Sequence, residues 1–318
     1  MMDFKSKLQK NLPLAPLTTF KIGGPAKFYF GVKTKDDLVA ALNWANDKNE
    51  KIYFLGGGSN LLINDKGVDG LVIKLSNHEI RVRGRRLECG AGLSLARATS
   101  TAISNNLSGL EWTVGIPGAT IGGAVRGNAE AFGFAMANIV ETIELFERNT
   151  RKFRIFSNKD CKFSYRSSVF KENDNCIIWS VVLKLKSEKQ TTIQALVKQS
   201  VDFRSQNYPK LPSAGSIFRN IHYSEIKKRN PELAKRMYDA GLARLDNIGA
   251  GLIIDKFLDF KGKTIGGAKI SLEHANHIVN TGKATAEDVI MLISVIKEKV
   301  RRNFNIQLQE EIQYFGFE

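Results

Sequence analysis

Three consecutive glycines, Gly56, Gly57 and Gly58, precede Ser59 and Asn60 in FLGGGSNLLIND, residues 54 to 65. Residues without Cβ let the backbone take positive φ and bring its N–H groups against a ligand, an arrangement that suits a phosphate. A tight connection between strands uses glycine too. A second element, TVGIPGATIGGAVRGNAEAFG (residues 113 to 133), carries Gly115, Gly118, Gly122, Gly123, Gly127 and Gly133, and Pro117 after Ile116 sets one bend. It is too long for a simple hairpin turn and poor in large side chains, so its contact surface must be backbone. Two such elements in one chain suggest a ligand with an extended diphosphate, clasped from two sides.

The triple glycine does not fit the standard phosphate loops. A dinucleotide fingerprint or a P-loop opens directly into a helix, and a Walker loop also needs Lys followed by Ser or Thr. Here Gly58 leads into Ser59, Asn60 and another strand-like run. Arg166, in SYRSSVFK (164 to 171), carries a guanidinium of the kind that can bind a carboxylate through two parallel hydrogen bonds, but on its own an arginine is usually a surface charge. His274 and His277 stand three apart in SLEHANH without a third ligand at metal-like spacing, so they read as turn or core histidines and no metal is expected.

Several elements must position these groups. KFYFGV (27 to 32) and KIYFLG (51 to 56) read as strands. Between them Thr34 and Asp37 make a capping box, and Leu38, Ala41, Leu42 and Ala45 a helical stripe. After the triple glycine, LLIN and GLVIKL (70 to 75) read as strands again. Asn230 and Pro231 start a helix with Leu233, Ala234, Met237 and Gly241 on one face. Thr285 and Asp288 cap a last helix to about Arg302, whose stripe is Val289, Leu292, Ile293, Ile296 and Val300.

At 318 residues, two or three domains are expected. Cys89, Cys161 and Cys176 are widely spaced with no C-x-x-C pair, which fits a reducing cytosol. No run of 18 apolar residues and no apolar h-region appears, so a soluble, non-exported, cytoplasmic protein without membrane insertion is expected. Lys plus Arg is 47 against 32 for Asp plus Glu, a formal charge of +15 that favours anionic partners. The cations are dispersed without a nucleic-acid module signature, which argues for a phosphorylated small molecule and against nucleic acid.

Six motifs, in order and over nearly the whole chain, resemble the UDP-N-acetylenolpyruvoylglucosamine reductase family. They are NLPLAPLTTFKIGGPAKF (11 to 28), GGGSN with GIPGATIGGAV, SYRSSVFK, PSAGSIFRN (212 to 220), KTIGGAKISLEHANHIVN (263 to 280) and LQEEIQYFG (308 to 316). The resemblance implies an α+β fold. It has a two-lobed FAD-binding region of the vanillyl-alcohol oxidase type, here 1 to 77 and 78 to 208, and a C-terminal substrate domain, 209 to 318, whose last strand returns towards the first lobe. It also implies non-covalent FAD, NADPH as reductant, and reduction of UDP-N-acetylglucosamine enolpyruvate to UDP-N-acetylmuramate for bacterial peptidoglycan, by a monomer.

Reduction of an enolpyruvyl double bond needs hydride at one carbon and a proton at the other. By resemblance the proton donor is Ser216, with Ala214 and Gly215 leaving room for substrate, and Arg166 holds the substrate carboxylate. The family reads Leu-Glu-Pro-Glu-Val where this chain has Leu308, Gln309, Glu310, Glu311 and Ile312. In a strand Leu308, Glu310 and Ile312 share one face and Gln309, Glu311 and Gln313 the other. Glu311 is thus in register with the family's second acid, as the group that helps protonate or stabilise the enolate. Tyr165 and Asn220 are implied to touch substrate; either Tyr223 or Tyr238, from the insert of about Ile221 to Ile248, closes over the nucleotide. The implied flavin contacts are Gly56, Gly57, Gly58, Ser59, Asn60, Gly115, Ile116, Pro117, Gly118, Gly122 and Gly123. The loop Lys263 to Ala268 reads equally as ligand contact or plain turn.

The chain departs from the family at Glu130, an acid near the expected diphosphate where Gly is usual, at Phe132 for Tyr, and at Arg219 for Lys. Two other readings compete. A sugar or alcohol oxidase on the same FAD fold would turn over with oxygen alone, and a basic nucleic-acid binder would be colourless and bind with strong salt dependence.

Overall fold

The computed structural model describes residues 4–242 and 246–317. The chain divides into two compact units: Met1–Leu12, Ala26–Gly58 and Asp69–Gln206 form the first, and Pro13–Pro25, Ser59–Val68 and Asn207–Glu318 the second.

The first unit holds two sheets. One runs in the order Gln9–Pro13, Pro25–Val32, Val68–Leu75, Ile52–Leu55, with the last pair parallel. Helix Lys35–Asp47 packs on it through Leu38, Ala41 and Ala45, all fully buried. Its capping box forms as the sequence predicts: the Thr34 hydroxyl accepts the Asp37 N–H at 3.1 Å, and the Asp37 carboxylate accepts the Thr34 N–H at 3.1 Å. The other sheet is antiparallel, in the order Lys152–Ser157, Val140–Glu147, Cys176–Lys184, Arg86–Gly90, Ile80–Arg83. Phe146, Ile177 and Trp179 join Phe30, Val32, Leu71 and Ile73 in one apolar cluster. The opposite face of the second sheet, with Leu87, Cys89, Ile143 and Val181, covers the helices Leu95–Ser104 and Ile121–Arg126.

In the second unit an antiparallel sheet runs Ser213–Ser216, His277–Asn280, Ala268–Ile270, Thr264–Ile265. Helix Ala286–Phe304 buries Val289, Leu292, Ile293, Ile296 and Val300, the stripe read from sequence. Asn230 caps Pro231–Asp239 by accepting the Leu233 N–H at 2.8 Å, and a helix not anticipated, Tyr223–Arg229, precedes it. Strand Gln313–Phe315 pairs in parallel with Leu61–Ile63.

The sequence suggests three parts with borders near 77 and 208; the structure gives two units, the later border falling at Gln206. Residues 13–25 and 59–68 belong with the C-terminal chain because Phe20, Ile22 and Leu62 are buried in the core that Ile217, Ile278 and Ile293 share. The expected continuous strand at 308 to 313 is instead a single bridge, Phe218 to Glu310, followed by Gln313–Phe315. Leu308 and Ile312 are buried and Gln309 is exposed, as alternation requires, but Glu310 and Glu311 are both half-buried.

Candidate active site

In the first unit the two glycine elements meet backbone to backbone. A Cβ on Gly57 would stand 1.6 Å from the Gly118 carbonyl oxygen, and one on Gly56 would stand 3.0 Å from Thr120 Oγ1 and 4.0 Å from the Gly123 Cα. Gly58, Gly115 and Gly118 all have positive φ, at 66°, 86° and 64°. At Gly57 a side chain would meet backbone that cannot give way, whereas at Gly56 it would press on the Thr120 hydroxyl. The second element also contains a short helix, Ile121–Arg126, that the sequence did not suggest. Within it Gly122 has a packing role: its N–H donates to Ala91 O at 2.8 Å, and a Cβ would lie 2.9 Å from the Ala91 Cβ. Glu130 is half-buried in the short strand Glu130–Ala131, and the Phe132 ring that follows is exposed.

Arg204 holds the approach to this element and was missed in the sequence. It looks like one more cation on helix Gln190–Asn207, yet it is buried and donates to Trp112 O at 2.7 Å and Val114 O at 2.6 Å. Those carbonyls lie directly before Gly115, so the guanidinium fixes the start of the GIPG turn.

Arg166 and Tyr165, also in the first unit, occupy a two-residue turn closed by Ser164 N–H to Ser167 O at 3.1 Å and the reverse bond at 3.2 Å. Arg166 has φ +53°, costly for a residue with a Cβ. Asn128 Nδ2 donates to Ser164 O at 2.9 Å and Lys171 Nζ to Arg166 O at 2.9 Å, which hold the turn in place.

Ser216 and Glu311 are brought together in the second unit. The Glu311 N–H donates to Ile217 O at 2.7 Å and the Arg219 N–H to Gln309 O at 2.9 Å. On the other side of the serine segment Asn276 clamps Phe218 twice, with Oδ1 accepting its N–H at 3.0 Å and Nδ2 donating to its carbonyl at 2.8 Å. Gly215, at φ +79°, forms the irregularity before Ser216. Ser59 and Asn60 reach the same place. The Ser59 carbonyl lies 3.9 Å from a Cβ built on Gly215, Asn60 Nδ2 donates to Glu311 O at 3.1 Å, and the Gln313 N–H donates to Asn60 O at 3.0 Å. Glu310 points elsewhere, to Lys297 Nζ at 2.5 Å and the Tyr314 hydroxyl, whose pKa burial and this carboxylate push up.

Asn220 is exposed beside Gly249, and the Arg219 Nε is buried without a partner. The two tyrosines separate: the Tyr223 hydroxyl donates to Ala234 O at 3.0 Å within the helical pair, whereas Tyr238 is 71% exposed. The Lys263 to Ala268 loop is a hairpin turn tied to the last helix, since Asp288 accepts the Gly267 N–H at 3.0 Å. His274 and His277 lie ring to ring at 4.7 Å, and no group of three His, Cys, Asp or Glu able to hold a metal occurs among the described residues. The two close a turn, the His277 N–H donating to His274 O at 2.9 Å; His274 is half-buried, whereas His277 is buried with both ring nitrogens unpartnered.

Residues 206–315 match the family model for the UDP-N-acetylenolpyruvoylglucosamine reductase C-terminal domain, and residues 26–151 the model for an FAD binding domain. A UDP-N-acetylenolpyruvoylglucosamine reductase of Solibacter usitatus is 32% identical over 305 residues, 96% of this chain and 95% of that one. The chain belongs to the UDP-N-acetylenolpyruvoylglucosamine reductase family. The reductase of Anoxybacillus flavithermus is 36% identical over 313 residues, covering 97% of this chain and 94% of its own. The crystal structure of the Thermus caldophilus reductase superposes with a TM-score of 0.77 at 31% identity, covering 97% of this chain and 99% of that one.

As a member of the reductase family the protein is an FAD-containing oxidoreductase of α+β class, with an FAD-binding domain and a C-terminal domain. The residues present fit the flavin. The seam of Gly56, Gly57 and Gly118 is main chain without side chains, with no room for a Cβ at Gly57, the kind of surface that can take a diphosphate through backbone amides.

Proposed function

We propose that this reductase family member uses NADPH to reduce UDP-N-acetylglucosamine enolpyruvate to UDP-N-acetylmuramate, a step in the cytoplasmic supply of peptidoglycan precursor. The observation that carries the reading is the meeting of Gly215–Ser216, Glu311 and Ser59–Asn60 in one unit. A flavin-loop segment, a hydroxyl proton source and a carboxylate are thereby held on neighbouring backbone. Bound FAD, reduced by NADPH, supplies the hydride.

The remaining chemistry belongs to the chain. Ser216 delivers the proton to the second carbon of the double bond, and the small Ala214 and Gly215 give the substrate access to it. Arg166 binds the enolpyruvyl carboxylate as a planar fork and stabilises charge that grows there during reduction. The strained φ at Arg166 is consistent with a side chain whose direction matters more than its local stability. Glu311 assists protonation or stabilises the enolate, its backbone fixed at both N–H and C=O. Gly56, Gly57, Gly58 and the Gly115 to Gly118 turn bind the diphosphate, with Gly123 behind them. Tyr165 and Asn220 contact substrate, and the exposed Tyr238 is a better closing tyrosine than Tyr223.

The test is product analysis. Purified protein incubated anaerobically with FAD, NADPH and UDP-N-acetylglucosamine enolpyruvate should yield the substrate plus two hydrogens, at least one of them from solvent. A product with no solvent-derived hydrogen would rule out protonation as the second step.

A further inference from the structure

Ser216 and His277 are directly opposed in the antiparallel pair Ser213–Ser216 with His277–Asn280. The Ile217 N–H donates to Asn276 O at 2.8 Å, so the hydrogen bond flanks the 216/277 pair, which is therefore of the non-hydrogen-bonded kind. In such pairs the two side chains point to the same face and stand close, with Cα atoms about 4.5 Å apart. The imidazole is 2% exposed, and neither Nδ1 nor Nε2 has a partner. The Tyr208 ring meets it edge-on at 5.2 Å, and His274 lies at 4.7 Å with its Nδ1 already accepting the Asn276 N–H at 3.2 Å. A buried ring with an unused N–H beside a serine hydroxyl is costly unless that donor is used at some stage.

We infer that His277 is a positioning residue for Ser216: its neutral ring donates an N–H hydrogen bond to the Ser216 oxygen as that oxygen loses its proton. The inference rests on the proposed role of Ser216. In the step, the Ser216 O–H bond breaks and a C–H bond forms on the substrate. The resulting alkoxide accepts the His277 N–H hydrogen bond, and the hydroxyl regains its proton from water afterwards. The imidazole never ionises. Burial and the neighbouring His274 hold its pKa at about 3, so the uncharged donor is the form present near neutrality. A neutral histidine acting as a hydrogen-bond donor to developing negative charge is established chemistry in other enzymes.

The test uses the FAD-loaded protein, reduced anaerobically by NADPH and then mixed with UDP-N-acetylglucosamine enolpyruvate. His277→Phe keeps a ring of similar size without nitrogens; His277→Gln keeps an N–H donor. Flavin reduction by NADPH should be unchanged in both. Substrate-driven reoxidation should fall roughly 10- to 100-fold in His277→Phe, the loss expected for one hydrogen bond to a charged group, with KM little changed and part of the rate recovered in His277→Gln. In a Ser216→Ala background His277→Phe should add no further loss. Reoxidation by His277→Phe at the wild-type rate, or an additive loss in the double variant, overturns the inference; His277→Leu gives the same readings where the Phe variant does not fold. Wild-type flavin that the substrate leaves reduced overturns the parent reading, and this inference with it.

Discussion

The main-chain N–H of Glu311 donates to the carbonyl of Ile217 at 2.7 Å, tying the acid to the residue that follows Ser216. The serine segment is thus held from both sides, by Glu311 along one edge and by the Asn276 carboxamide and its strand along the other. A segment with backbone partners on both edges has little freedom to shift, so the main-chain positions of Ser216 and Glu311 are fixed relative to one another.

Replacing Ser216 by Ala removes only the hydroxyl. Flavin reduction by NADPH should survive while reduction of the enolpyruvyl substrate is largely lost, by on the order of a hundredfold or more as for loss of a general acid. Stopped-flow absorbance of each half-reaction checks this. Equal loss of both would count against Ser216 as proton donor.

Gly57→Ala should abolish flavin retention, because the new methyl would overlap the Gly118 carbonyl at 1.6 Å and both partners are backbone. Gly84→Ala is the control: φ is +59° there but nothing lies within 4 Å, so a cost of about 1 kcal/mol and normal flavin content are expected. Flavin-to-protein absorbance ratios and thermal midpoints separate the two.

Arg204→Met should lower stability by on the order of 3 kcal/mol, since it strips the Trp112 and Val114 carbonyls of their charged donor. The methionine keeps most of the stem packing against the Gly115 turn. Lower FAD affinity by titration, beyond what the lost stability explains, would show that the turn before Gly118 has moved. Unchanged affinity would make Arg204 purely structural.

Local signals carried far in this chain. Both capping boxes, the Pro231 helix start and the strands on either side of the triple glycine follow from residues within four positions of one another, and each appears in the structure. Arg204 was illegible because its partners lie 90 and 92 residues away, and nothing in the helix around it distinguishes it from a solvated cation. The assignment of residues 13–25 and 59–68 to the second unit depends on burial of Phe20, Ile22 and Leu62 against a core over a hundred residues further on. The close backbone seam of the glycine loops was readable because it needs a residue type. The pairing of His277 with Ser216 was not, since it needs a register.

Acid should weaken the fold through its buried histidines. Burial, then His274, lowers the His277 pKa from 6.5 to about 3, and burial with the Lys261 charge lowers that of His274. The unfolded chain therefore binds protons that the native state refuses. Stability contributed by neutral His277 is complete above its unfolded pKa of 6.5 and is lost as pH falls from there towards about 3, by about 1.4 kcal/mol per pH unit. Urea midpoints should drop between pH values of about 7 and about 5 in the wild type, and less steeply in His277→Phe. Equal slopes would show that His277 titrates normally in the folded protein.

Anaerobic reoxidation of the reduced flavin by UDP-N-acetylglucosamine enolpyruvate tests the functional claim most directly. Protein loaded with FAD and reduced by one equivalent of NADPH should regain its oxidised absorbance on mixing with this substrate in the absence of oxygen. A flavin that stays reduced with this substrate would contradict the account, and catalytic turnover with oxygen alone would mark an oxidase on the same scaffold.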